Sequence, residues 1–128
     1  MKSLIAFLLL FSSLIIQANP DTFDCSVKNL LISDKTAPES FIEGNLQKRF
    51  IMAVDDDDVI VTSISDTYSS SVTKYRILSK ERSTVKAIND DSSTTQKTIM
   101  LHIENGDSTI SHQGSFHANV WLLGCKKQ

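Results

Sequence analysis

Two cysteines, Cys25 and Cys125, stand near opposite ends of a 128-residue chain, and there are no others. In an oxidising compartment such a pair joins, and the bond would enclose nearly all of the folding region in one covalent loop. In the chain-entropy description, closing a loop of about 100 residues stabilises the native state by on the order of 4–5 kcal/mol. Small domains have only about 5–15 kcal/mol in total, so this bond would be a large fraction of the whole. A redox or metal role for the pair lacks its usual signature: there is no Cys-x-x-Cys spacing and no histidine close to either cysteine. The bond also restricts topology, because whatever elements carry Cys25 and Cys125 must meet in space.

The start of the chain supplies the compartment. Met1-Lys2-Ser3 carries one positive charge, Leu4 to Phe11 is an unbroken apolar run, and Leu14-Ile15-Ile16 continues it to Gln17-Ala18 before Asn19. A basic start, an apolar middle and a small residue before a polar one predict a secretory signal peptide over residues 1–18. The run is interrupted by Ser12-Ser13 and falls short of the about 20 residues a membrane span needs. The expectation is export, cleavage near Ala18 and a single soluble domain over residues 19–128, in the periplasm or outside the cell, with no membrane anchor after cleavage. A formal net charge of -2 gives no basic face with which to displace counterions from phosphates, so nucleic acid is not an expected partner.

Alternation and turn chemistry recur along the rest of the chain at the spacing of an all-β domain. Phe23, Cys25 and Val27 alternate with Asp24, Ser26 and Lys28 and lead into Leu30-Leu31-Ile32. Residues 33–46 hold Pro38, Gly44 and Asn45 and read as a long connection with room for a helical turn around Ser40-Phe41-Ile42. Phe50, Met52 and Val54 mark a second strand, and Val59, Ile60, Val61 and Ile64 a third. Tyr75 to Leu78 and Val85 to Ile88 give the fourth and fifth, with a charged turn at Lys80-Glu81-Arg82 between them. Three more strands follow. Asn105-Gly106 signals a two-residue hairpin that sets Leu101 opposite Ile110. A three-residue loop at His112-Gln113-Gly114, with Gly114 left-handed, then places Ile110 opposite Phe116 and puts Ala118, Val120 and Leu122 on the inner face.

Eight short strands joined mostly by tight turns, with the cysteines on the first and last, predict a small antiparallel meander closed as an eight-stranded barrel. A two-sheet β-sandwich with the bond between layers is the alternative. The second and third strands are apolar on both faces, which calls either for a cover from residues 33–46 or for a partner surface.

Candidate chemistry is sparse. Asp55, Asp56, Asp57 and Asp58 form the densest acidic cluster and are the candidate binding residues, as an acidic turn steering a basic partner or holding a hard cation. The alternating calcium-loop pattern is absent, and consecutive side chains in a tight turn diverge, so no metal site is expected. His102, His112 and His117 do not converge in the register above, with His112 placed in a turn. Tyr68-Ser69-Ser70-Ser71 lacks the flanking glycines of a serine nucleophile. Trp121 reads as a core residue. With no phosphate loop, zinc motif or nucleophile elbow in the chain, neither enzymatic activity nor a cofactor is expected.

The function expected on these grounds is that of an exported, non-catalytic binding or inhibitor module acting on another exported protein. The plan of export signal, short barrel and one disulfide between terminal strands is similar to that of small periplasmic lysozyme inhibitors. The Ser-Gly-x-x-Tyr loop of one such family is not present, since Ser71-Val72-Thr73-Lys74-Tyr75 lacks the glycine. The alternative is a small lipocalin-like carrier of an apolar ligand, although the Gly-x-Trp signature of lipocalins is also missing.

Overall fold

The structure, a computed structural model, describes residues 20–128. The expected signal segment, residues 1–18, lies outside them. Eight strands run in chain order: β1 (Asp21–Ile32), β2 (Arg49–Val54), β3 (Asp58–Ile64), β4 (Ser71–Glu81), β5 (Thr84–Asn89), β6 (Thr95–His102), β7 (Asp107–Gly114) and β8 (Ala118–Lys127). One helix, α1 (Glu39–Leu46), occupies the long β1–β2 connection. Each strand pairs antiparallel with its sequence neighbours, and β8 pairs back onto β1, so the sheet closes into a barrel. Cys25 and Cys125 face each other across the closing pair and are bonded. A disulfide of this kind is a mark of an oxidising, extracytoplasmic compartment.

Alternation explains the interior. Phe23, Phe50, Met52, Val59, Val61, Tyr75, Val85, Ile99, Leu101, Ile110, Trp121 and Leu123 are buried, and cross-strand partners among them point the same way. Their burial is the main stabilising term, at roughly 1.5–3 kcal/mol for each large side chain. Two bulges tune this pattern. The β1–β8 register shifts between Val27 and Asn29, which turns Leu30 inward beside Trp121 and leaves Leu31 52% exposed. The β4–β5 register shifts between Ile77 and Ser79.

The β7–β8 hairpin differs from the sequence expectation. Gly114 is not left-handed; it belongs to β7, its N–H donates to the His117 carbonyl at 2.9 Å, and the turn is made by Ser115 and Phe116. Ile110 therefore lies opposite Trp121, and Phe116 projects from the tip at 99% exposure. The inner face of β8 is Trp121 and Leu123, while Val120 and Leu122 lie on the other side. A slip of one position reverses every side chain of a strand. The β6–β7 connection departs more gently. It spans Ile103 to Gly106, so Leu101 pairs with Ser108 and Ile99 with Ile110. That shift of two positions keeps the expected inner face. Only Gly106 of the Asn105-Gly106 pair has positive φ (74°), and a Cβ there would collide with the Cys125 carbonyl oxygen. Cys125 N–H donates to the Gly106 carbonyl at 2.7 Å, tying this turn to the disulfide-bearing strand.

The barrel has two unlike ends. At one lie the short turns at residues 55–57, Arg82-Ser83 and 103–106, together with the start of β1 and the end of β8. At the other lie α1, the 65–70 loop, the 90–94 loop and the Ser115-Phe116 tip. Here α1 begins after Pro38, whose carbonyl accepts from the Phe41 and Ile42 N–H groups at 3.0 and 3.3 Å. Gly44 packs so closely on Tyr68 that an added Cβ would lie 2.9 Å from its ring. The helix thus sits over the barrel end and against β1, and the outer-face residues Ile51, Ala53 and Ile60 of β2 and β3 are left partly exposed.

The covalent seam leads to a direct expectation. Replacing both cysteines by alanine should lower the free energy of unfolding by about 4 kcal/mol, with the denaturant midpoint falling accordingly and the native β spectrum retained at low denaturant. Chemical denaturation followed by circular dichroism measures this. A change under about 1 kcal/mol would mean that the bond contributes little beyond the pairing of β1 with β8.

Candidate functional site

The acidic cluster and the remaining polar constellation lie at opposite ends of the barrel. Asp55 to Asp58 form the β2–β3 turn and its exit, held by bonds within the turn and to β4. Asp55 Oδ1 accepts from the Asp56 N–H at 2.7 Å, and Asp55 N–H donates to the Asp58 carbonyl at 2.9 Å. Lys80 Nζ donates to the Asp55 carbonyl at 2.6 Å, and the Ile77 N–H donates to the Asp57 carbonyl at 2.8 Å. Asp58 pairs with Lys74 at 3.3 Å. Among the described residues no group of three or more His, Cys, Asp or Glu side chains is placed to hold a metal ion.

At the helix end, the inner face of the sheet changes character. Below this level the wall is apolar; above it the inward positions are Ser63 on β3, Ser71 and Thr73 on β4, Lys97 on β6 and His112 on β7. With Lys48, Phe50, Val61, Tyr75, Ile110 and Trp121 they line a cavity of about 80 Å3. The register explains the convergence: Ser63 pairs with Ser71, Val61 with Thr73, Lys97 with His112 and Ile110 with Trp121. No carboxylate lines this mouth.

Lys48 enters from the segment between α1 and β2. Its Nζ lies 5.0 Å from the ring centroid of Tyr68 and 5.4 Å from that of Trp121, so the ammonium is held between two aromatic rings. Burial draws its pKa below the ordinary lysine value. The five ion pairs among the described residues leave out both Lys48 and Lys97. Two cations therefore share a small, partly enclosed space with no counter-charge in its wall.

His112 stacks edge-on against Trp121, with ring centroids 4.7 Å apart. Burial, reinforced by the positive charges of Lys97, Lys48 and His117, pushes its pKa from 6.5 down to about 4. The imidazole is neutral at pH 7. Tyr75 is buried deeper, and desolvation raises its phenol to about 12. Trp121 is 4% exposed and packs on Phe50, and its indole N–H is the one buried side-chain donor without an acceptor among the described residues. A buried donor left unpaired costs roughly 1–3 kcal/mol.

Of the expected histidines, only His112 belongs to this site. It is not in a turn but on β7, two positions beyond Ile110 and on the same inward face. His102 lies on the outer face, its Nδ1 3.1 Å from Thr84 Oγ1, which is the one histidine–hydroxyl hydrogen bond among the described residues. His117 is exposed beside Gly114. Lys48 and Lys97 escaped the sequence reading because a lone lysine reads as a solvated charge, and His112 was set aside because the expected register put it in a turn. A correct register for β6 with β7 would have exposed the Lys97–His112 pair.

Comparison of the chain with protein-family models, with curated proteins and with solved structures returned no match.

The low pKa of His112 has a stability consequence. Between pH 4 and 6.5 the unfolded chain holds a proton on this imidazole that the folded chain does not, so folding stability falls as pH drops through that window. The stability should be lower at pH 5 than at pH 7, and His112→Gln should flatten that difference. An NMR titration of the imidazole reads the same property, and a midpoint near 6.5 would contradict the desolvated environment.

Proposed function

We propose that the protein is an exported, non-catalytic binding module that grips another exported protein with the helix-bearing end of its barrel. The observation that carries this reading is the distribution of exposed apolar side chains. Eight large hydrophobic residues are exposed among the described residues, and six of them (Leu31, Leu46, Ile64, Tyr68, Val72 and Phe116) belong to this end. Phe116 is exposed at 99% and Val72 at 70%, at the tip of one hairpin and the start of β4. Soluble proteins scatter such residues singly; six gathered at one end of the barrel support an interaction surface there. Export accounts for both the leader-like residues 1–18 and the bond between Cys25 and Cys125.

A carrier role draws less support. The interior is filled by Phe50, Met52, Leu101 and Trp121, and the mouth holds about 80 Å3, against the about 300–1,000 Å3 of a pocket for a drug-sized molecule. Nor does the mouth present the arrangement of a hydrolase. The ring of His112 lies against Trp121 rather than against a hydroxyl it could deprotonate, although Ser63, Ser71 and Thr73 line the same space.

The test compares single charges placed at the two ends. The folded protein, immobilised, is exposed to the native envelope or culture fluid, and the captured species is then titrated against purified variants. Phe116→Asp or Val72→Asp should weaken binding by at least about tenfold, while Leu78→Asp, on the other part of β4, should change it less than about twofold. Equal effects of Leu78→Asp and Phe116→Asp would remove the assignment of this end, and so would a captured species insensitive to all three.

A further inference from the structure

We propose that the mouth of the barrel is a receptor for one carboxylate group, held between the ammonium groups of Lys48 and Lys97. This deepens the binding-module reading above and rests on it for the idea that a partner reaches this end.

Charge is the first argument. The ion pairs among the described residues are all external: Lys28 with Asp107, Arg49 with Asp24, Lys74 with Asp58, Arg76 with Asp90 and Lys127 with Asp21. Lys48 and Lys97 are the two that point into an enclosed space, and the wall between them offers hydroxyls, a neutral imidazole and aromatic rings but no anion. A partly buried ammonium with no counter-ion in the wall is held at a desolvation cost, which an incoming anion offsets. The Trp121 N–H adds a donor with no internal acceptor in the same wall.

Size and wall chemistry select the class of anion. A cavity of about 80 Å3 accommodates a few water molecules or one compact head group. Phosphate sites are characteristically built from converging backbone N–H groups at a helix start or a glycine-rich nest. Here the donors are side chains, and Phe50, Val61 and Ile110 supply apolar wall beside them. That combination suits a planar monoanion on a short carbon stem, with its oxygens on the lysines and its stem on the apolar wall. Two sources present this chemistry: the Asp or Glu side chain of a docking protein, or a small free acid. Tyr68, against the Lys48 ammonium, and Phe116, exposed at the same end, would help exclude water from the contact and so strengthen it.

The test uses acetate as the probe and the single tryptophan as the reporter. Sodium acetate is titrated against sodium chloride at matched ionic strength, while the Trp121 indole N–H resonance and the tryptophan fluorescence are followed. Acetate should produce a saturable shift that chloride does not. Lys48→Met or Lys97→Met should each weaken it by about tenfold, and Lys126→Met, at the far end of the barrel, should leave it unchanged. Trp121→Phe should fold normally and bind acetate more weakly by calorimetry. A linear, unsaturable response, or one equally affected by Lys126→Met, would overturn the site. Displacement of the captured partner by saturating acetate assigns the carboxylate to that protein; a partner that stays bound while acetate saturates assigns the site to a free small acid. If Phe116→Asp fails to weaken partner capture but the acetate shift persists, the docking reading falls and the carboxylate site stands.

Discussion

The pairing of β1 with β8 is the constraint on which the rest of the molecule depends. Seven of the eight strand pairings join neighbours in sequence; this one joins the two ends of the domain, with Cys25 opposite Cys125. Without it the meander would be an open sheet with two unpaired edges, a template for aggregation. With it, every strand has two partners and the inward faces of all eight meet in a single core. The bulge between Val27 and Asn29 lies within the same pairing. It lets Leu30 turn inward beside Trp121, so the closure also helps to set the floor of the mouth.

The closed barrel has two ends, and they are built differently. One is finished by short turns whose polar groups satisfy one another: the Asp55–Asp58 segment bonds to itself and to Lys80, and Gly106 lies against the Cys125 backbone. The other carries longer connections and a helix, which supply exposed apolar side chains and bring Lys48 over the opening. Loops on a rigid scaffold are where proteins place binding groups. The same inward-facing positions that are apolar through the core become Ser63, Thr73, Lys97 and His112 at this end, so the site is a continuation of the barrel's own alternation.

Much of this architecture was legible in the chain. Alternation at Phe23-Cys25-Val27 and Phe50-Met52-Val54 marked strands that exist with those faces inward, and the cysteine positions led to closure. The failures have a common cause. Whether the β7–β8 turn sits at His112-Gln113-Gly114 or at Ser115-Phe116 depends on tertiary packing, and the choice reverses β8. Val120 and Leu122 are as apolar as Trp121 and Leu123, so hydrophobicity alone did not discriminate between the two faces. The bulges on β1 and β4 have no glycine to announce them. The mouth was hidden for a related reason: Lys48 and Lys97 look like solvated charges until the eight-strand register brings them to one opening, whereas Asp55–Asp58, conspicuous in sequence, form a turn at the opposite end, tied to β4.

The central claim is that the covalent closure of β1 on β8 holds the barrel, and with it the mouth, in one cooperative unit. Native-state hydrogen exchange on the oxidised protein and on its Cys25→Ser/Cys125→Ser variant tests this most directly. The account predicts that amides of β1 and β8, including Leu30 and Trp121, exchange only through global unfolding when the bond is present, and through a lower-energy opening of that one seam when it is absent. Equal protection of the seam in both forms, or loosening first at the β3–β4 or β5–β6 pairs, would contradict it.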